Sequence, residues 1–399
     1  MPPARSSNKN KYIAAFLLLL LISMSAYAYL MPTKAPAIET GTILVLPVQL
    51  ATGSTDSQWN PYAAMDVLIN QLNVGVSYPL LQTEDIINII SLISNDHLSQ
   101  AVDIKQLMAV SGAGLVIESR ITSANNQYQL AFTLHQQHNT EAGVVNASSI
   151  EQAILATSSL ITQQLNPQHN PQHNPQHNKT ATQYHSRYST PLLFSAMTQL
   201  QLGDTKAAEQ HLSKLIHSTP DNLVAMRLLA SIQLQQHQYE QLNTTLIAAI
   251  DQATHQQDER ELARLRLLLA QSYTETDRIE QALGVLTIAK TNAAKVKDWL
   301  TLGYISQLAG MINQRIGRND KAREQFKKAI EYHQMMNYPI GQTQALNELA
   351  ELEVIEFNYP QAYRYINRSY EQVAHRGLDH LEKSTFKIMT KIENKMQHR

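Results

Sequence analysis

The chain has 399 residues, and 32 Lys and Arg stand against 33 Asp and Glu for a formal net charge of −1. That balance gives no overall attraction to nucleic acid or anionic lipid, so direct nucleic-acid binding is not expected. There is no cysteine, which excludes disulfides, thiol catalysis and Cys-ligated metal centres and leaves the chain at ease in an oxidising compartment.

Residues 1–11 are polar and basic, with Arg5, Lys9 and Lys11. Tyr12 to Met31 is then uncharged and apolar; as a helix it would span ~30 Å, the thickness of a bilayer core. The basic flank predicts a short cytoplasmic tail (1–11), a transmembrane anchor (12–31) and everything after it outside. A rival reading is a cleaved secretory signal, because Ser25-Ala26-Tyr27-Ala28 ends small-x-small after the apolar core. Both readings export residues 40–399, and without Cys no lipid can be attached to a mature N-terminus.

Residues 40–165 read as a small α/β layer domain. Gly41 to Leu50 is a continuous β-branched and Leu run, a buried strand. Asn60-Pro61 starts a helix with Met65, Leu68, Ile69 and Leu72 on its apolar face. Tyr78 to Gln82 is expected as a short strand. Thr83-Glu84-Asp85 opens a second helix, with its acids where the helix dipole favours them. Asp103 to Ser111 is a third. Leu115–Ile121 and Tyr128–Leu134, turning at Asn125-Asn126, form a hairpin, Gly143-Val-Val-Asn146 adds a third strand, and Ile150 to Leu165 is a closing helix.

Residues 166–189 contain Asn-Pro-Gln-His repeated, with His169, His173 and His177, and His185 nearby. Proline at every fourth residue forbids a helix, so an extended linker is expected. Histidine can ligate Zn²⁺, Cu²⁺ or Ni²⁺, but nothing here fixes a coordination geometry, and no metal site is assigned.

Residues 190–399 carry a repeat. Gly310, Gly317, Ala322, Phe326 and Ala329 put two amphipathic helices about a tight turn, with small residues where the helices touch and a large one filling the gap. Equivalent positions Ala208, Leu242, Ala282, Ala322 and Ala362 are 34, 40, 40 and 40 residues apart. This pattern resembles the tetratricopeptide (TPR) repeat. The turn glycine is replaced by His237, Asp277 and Phe357 in three of the units. Leu381, Phe386, Ile388, Met389 and Ile392 mark a terminal capping helix. The fold class expected is α+β overall and mainly α, ending in a TPR-like α-solenoid.

An apolar anchor, a strand of the form Ile43-Leu-Val-Leu-Pro47, the run Ala113-Gly-Leu-Val-Ile-Glu-Ser119 before the hairpin strand Tyr128–Leu134, and then a TPR-type array resemble the periplasmic part of CadC-type (ToxR-like) membrane regulators. Their first subdomain is similar to the TolB N-terminal domain. The resemblance implies an inner-membrane, single-pass protein, with most of the chain in the periplasm, that senses or scaffolds. Those regulators also carry a winged-helix DNA-binding domain, for which 11 residues before the anchor leave no room.

No metalloprotease, nucleophile-elbow, P-loop or dinucleotide-binding motif occurs, so no catalytic, cofactor or metal residues are assigned and the chain is not expected to be an enzyme. By register the concave wall of the array carries Arg227, Arg264, Gln271, Tyr304, Gln307, Met311, Gln314, Asn347 and Glu351, a mixed lining suited to an extended protein or peptide segment. The expected function is non-enzymatic protein–protein recognition. The alternative is a secreted periplasmic TPR factor, soluble after cleavage near Ala28, that serves envelope assembly or accompanies an envelope enzyme.

Overall fold

In the structure, a computed structural model, residues 41–51, 59–93, 103–124, 127–166 and 186–397 are described. The expected tail and anchor, the Asn125-Asn126 turn and the histidine-bearing repeat lie outside these residues. No helix among the described residues is long and apolar enough to cross a membrane.

The first apolar run makes two short strands rather than one. β1 (Thr42–Val45) and β2 (Gln49–Leu50) both pair in parallel with β3 (Ala113–Ala124). Pro47 separates them, since proline has no N–H for the ladder, and Val48 N–H turns aside to the Pro61 carbonyl at 3.1 Å. β3 pairs antiparallel with β4 (Gln127–His135), and β4 with β5 (Thr140–Ala147). On the far side of β1, the strand expected over Tyr78–Gln82 shrinks to one bridge, Ile43 to Leu80, because Pro79 can offer only its carbonyl. In β4, Leu130, Phe132 and Leu134 alternate into the core, and Phe132 lies over Gly143 of β5, where a Cβ would come within 2.4 Å of the ring.

Four helices pack with this sheet: α1 (Pro61–Gly75), α2 (Thr83–Ile93), α3 (Ile104–Ser111) and α4 (Ile150–Leu165). Their starts follow local chemistry. Asn60 Oδ1 accepts from Tyr62 and Ala63 N–H at 3.0 Å, Asp103 caps α3, and Ser149 caps α4.

The remainder is an array of helix pairs: α5 (Pro191–Gln201) with α6 (Thr205–Ser218), α7 (Leu223–Gln235) with α8 (Tyr239–His255), α9 (Glu259–Glu275) with α10 (Ile279–Lys295), α11 (Trp299–Arg315) with α12 (Asn319–Met335), and α13 (Pro339–Ile355) with α14 (Tyr359–Val373). A last helix, α15 (Asp379–Gln397), packs on α13 and α14. The sequence pattern acts where expected. Gly310 admits the Phe326 ring so closely that a Cβ would sit 2.5 Å from it, and Ala208, Leu242, Ala282, Ala322 and Ala362 are all 0% exposed. The turns within pairs share one backbone geometry: Gly203, His237, Asp277, Gly317 and Phe357 have φ of 76°, 57°, 59°, 73° and 60°. Loss of the glycine therefore did not change the turn; it put a side chain into a left-handed conformation.

The α/β layer and the array share one core. A single apolar cluster includes Ile43, Leu115 and Ile154 of the layer together with Leu193, Leu212, Leu229, Met336 and Ile340 of the array. The turn between α12 and α13 fits directly against β1 and the end of α3. Asn337 Nδ2 donates to the Gly112 carbonyl at 2.8 Å, and Thr42 Oγ1 donates to the Met336 carbonyl. Gly112, with φ 70°, lies so near the Asn337 carbonyl that a Cβ would be 1.7 Å from its oxygen. Ser186 to Ser189, expected as the end of a linker, are packed as well: Tyr188 is buried, and Ser186 Oγ donates to Asp66 at 2.8 Å.

Candidate functional site

The inner wall of the array meets the first turn of α2, and there the structure places a buried ionic network. Glu84 accepts from Arg227 and from the Tyr188 hydroxyl (2.7 Å), and Arg264 reaches it at 3.2 Å. Arg227 also binds Glu261 at 2.6 Å. Arg264 bridges Asp85 at 3.1 Å and Asp298 at 3.4 Å, while Arg260 donates to Gln82 at 2.8 Å. Three successive repeats contribute from the first helix or its cap, so residues 34 apart line up: Arg227 on α7 with Glu261 on α9, and Arg264 on α9 with Asp298 capping α11.

The charges set each other. Burial alone would raise the Glu84 carboxyl, but the Arg227 and Arg264 guanidiniums outweigh it and hold its pKa low. The same competition lowers Asp298, beside Arg264 and Arg260. At Asp85 burial wins, with Asp298 and Glu84 adding to it, and the pKa is raised. Arginines 227 and 264 are fastened more firmly to their protons by these carboxylates despite burial.

Beyond this lock the concave face opens into a groove of about 1440 Å³. Its inner wall is α7, α9, α11 and α13, and the start of α2 and one face of α15 line it as well. Eight of the nine wall residues read from the sequence line it; Gln314, in the last turn of α11, does not. Four of the eight serve the fold rather than stand free. Arg227 and Arg264 hold α2, the Tyr304 hydroxyl donates to Tyr338 at 3.4 Å, and Asn347 is tied to Thr385 (2.9 Å) and Ser369 (2.5 Å). Register identifies which side chains face inward, but not that α2 and α15 come to meet them.

Gln271, Gln307, Met311 and Glu351 remain open to the groove, with Leu308, Gln344, Leu381 and Ile388 around them. Gln307 Oε1 is buried and has no hydrogen-bond partner among the described residues. Glu348, which sequence reasoning missed, is pushed up to about 6 by burial and by the neighbouring Glu351. Its position three residues before Glu351 on the same helix face was the available signal. Among the described residues no group of three His, Asp or Glu side chains is arranged to hold a metal ion.

Small residues where helices cross, left-handed turns and a recurring 40-residue step identify the array's kind. Residues 304–332 match the tetratricopeptide repeat family. The matched TPR segment is the fourth helix pair, α11 with α12, of which α11 lines the groove. No curated protein matches the chain. Solved structures similar to it include BtubC from P. vanneervenii, at 16% identity over 52% of this chain and 85% of that one, with a TM-score of 0.42. A thermophilic TPR protein from Thermus thermophilus is 20% identical over 49% of this chain and 97% of its own, with a TM-score of 0.37. A Rap protein complexed with Competence and Sporulation Factor is 14% identical over 61% of this chain and 74% of its own, with a TM-score of 0.45.

Proposed function

We propose that this chain is a non-enzymatic protein–protein recognition module that holds an extended segment of a partner in the C-terminal half of its inner groove. The observation that carries the reading is the chemistry left unsatisfied there. Glu348 and Glu351 stand side by side on the groove wall and form no ion pair among the described residues, and Gln271 and Gln307 line the same space. A polypeptide supplies what such a wall lacks: backbone N–H donors at regular spacing, a basic side chain for the carboxylates, and aliphatic side chains against Met311, Leu308 and Ile388.

The apolar run 12–31 with its basic flank supports the rest of the reading. The module is anchored in the inner membrane, works in the periplasm, and senses or scaffolds for a membrane regulator.

The test is photo-crosslinking of the full chain in its own cells. A benzophenone amino acid is placed at Met311 in the groove and, as control, at Ile247, which is 62% exposed on α8. The expected result is one protein segment attached at Met311, absent at Ile247, and lost on Glu348→Lys. Equal labelling at both sites, or none at Met311, overturns the reading. Peptide coverage of residues 1–31 in the same run tests the anchor.

A further inference from the structure

The helix α15 is built like the first helix of a sixth pair. Counting back 40 residues, Lys383, Phe386 and Thr390 occupy the places of Thr343, Leu346 and Ala350 on α13. On α13 those three are 0% exposed: Ala350 packs with Ala362 and Ile366 of α14, Ser369 of α14 bonds the Thr343 carbonyl, and Leu346 joins a cluster with Phe326 of α12 against which Tyr365 of α14 packs. One step earlier, on α11, Gly303, Ser306 and Gly310 are likewise buried under α12. On α15 the same face is open among the described residues. Lys383 is exposed, Phe386 is 53% exposed, and Thr390 is half-buried.

A trough of about 830 Å³ runs along this face, floored by Tyr359, Phe386 and Thr390. Its edges are cationic. Lys383, Lys387, Lys391 and Lys395 follow at four-residue spacing on one side of the helix, and none forms an ion pair among the described residues. Some long cations elsewhere on the array find carboxylates, such as Lys295 with Glu259, Lys328 with Glu324 and Arg315 with Asp277; here four unpaired lysines share one helix face. A helix whose only task is to keep the end of a solenoid soluble needs the charge but not a half-exposed Phe386 beside it.

We propose that this face of α15 docks an acidic amphipathic helix of a partner protein, which takes the place of a second helix and completes a sixth repeat. The geometry states the partner's chemistry. One side carries a small residue over Phe386 and a large apolar residue against Thr390, in the places that Ala329 and Phe326 of α12 take on α11, where Phe326 meets Gly310 and His333 meets Gly303. The flank carries Glu or Asp every fourth residue, opposite the lysine row. Lys387 and Lys391 form the rim shared with the inner groove, whereas Lys383, Phe386, Thr390 and Lys395 line the trough alone, so the site stands whether or not that groove binds a peptide.

The experiment uses the full chain and a labelled synthetic helix of about 20 residues with that apolar pattern and glutamates at four-residue spacing. Fluorescence anisotropy is expected to give saturable binding that weakens about tenfold or more in K383E/K395E, which leaves the inner groove unchanged, and on raising salt from about 50 to about 300 mM. The same peptide with lysines in place of glutamates is expected not to bind. Because the lysines are exposed, the variants are expected to melt like the parent, which circular dichroism verifies. No saturable binding by the folded chain, or equal binding by the variant, overturns the proposal. So does self-association in sedimentation that Phe386→Glu abolishes, which makes a second copy the occupant. Retention on anionic phosphatidylserine vesicles that the lysine variant loses, without peptide binding, overturns it in favour of a lipid surface.

Discussion

Replacing Arg227 by methionine keeps the stem of the side chain and removes the guanidinium that joins α2 to two repeats. The side chain is 9% exposed, and its partners Glu84 and Glu261 are each 8% exposed. Glu84 retains Arg264 at 3.2 Å and the Tyr188 hydroxyl, so its charge stays compensated. Glu261 loses its paired guanidinium while remaining buried. Breaking a buried pair on one side costs about 3–5 kcal/mol, and the surviving contacts of Glu84 place this variant near the lower end, at about 3 kcal/mol. Removing the stranded charge as well, in R227M/E261Q, is expected to recover about 1–2 kcal/mol relative to the sum of the single changes. Urea unfolding followed by far-UV circular dichroism measures both quantities. Limited proteolysis between Ser186 and Thr190 is expected to speed up in R227M, as the α/β layer loosens from the array. A loss below about 1 kcal/mol, or strictly additive single changes, would refute the reasoning, since either means the network carries no coupled charge.

Burial holds the His333 imidazole down at about 4. The native state then takes up fewer protons than the unfolded chain between about pH 6.5 and 4, so this contribution is complete above the unfolded value and is lost as pH falls towards 4, by about 3 kcal/mol. Stability against pH, compared with that of His333→Phe, is expected to lose this slope; the opposing contribution of Glu348, raised to about 6, stays in both. Gly310→Ala forces a methyl within 2.5 Å of the buried Phe326 ring and is expected to cost ~1–3 kcal/mol by chemical denaturation. The companion change Phe326→Leu is expected to relieve part of that loss. Phe357→Gly releases a left-handed strain at φ 60° in a side chain 65% exposed, and is expected to raise stability by about 1 kcal/mol, seen as a higher Tm.

The helical array was legible because its rules are local. A small residue such as Gly310 and a large one such as Phe326 are fixed by the crossing of neighbours, and their spacing repeats. The hairpin β3–β4 was legible for the same reason, through its period of two. The ionic lock was not. Glu84 and Asp85 explain themselves as first-turn acids, and nothing nearby asks for another partner. Arg227 and Arg264 lie 143 and 180 residues further along from Glu84. Their pairing follows from where α2 is delivered by the sheet, which no local pattern states. The clue that did exist was chemical: two arginines on one inner wall, 37 residues apart and turned away from solvent, require anions from somewhere.

The contact of Gly112 with Asn337 spans 225 residues. At roughly 5–20 residues per second, a ribosome that has finished the α/β layer at Leu165 needs about 9–35 s more to make the turn that seats against it. Glu84 lacks both arginines until Arg227 and Arg264 are made, 62 and 99 residues after Leu165, and the edge of β1 faces no array until the end of the interval. The layer therefore waits in an unfinished state whose acids repel and whose apolar edge is bare. A stop codon before the turn between the fourth and fifth helix pairs would keep both arginines but leave that edge bare permanently, making the C-terminal repeats the step that closes the N-terminal third of the chain.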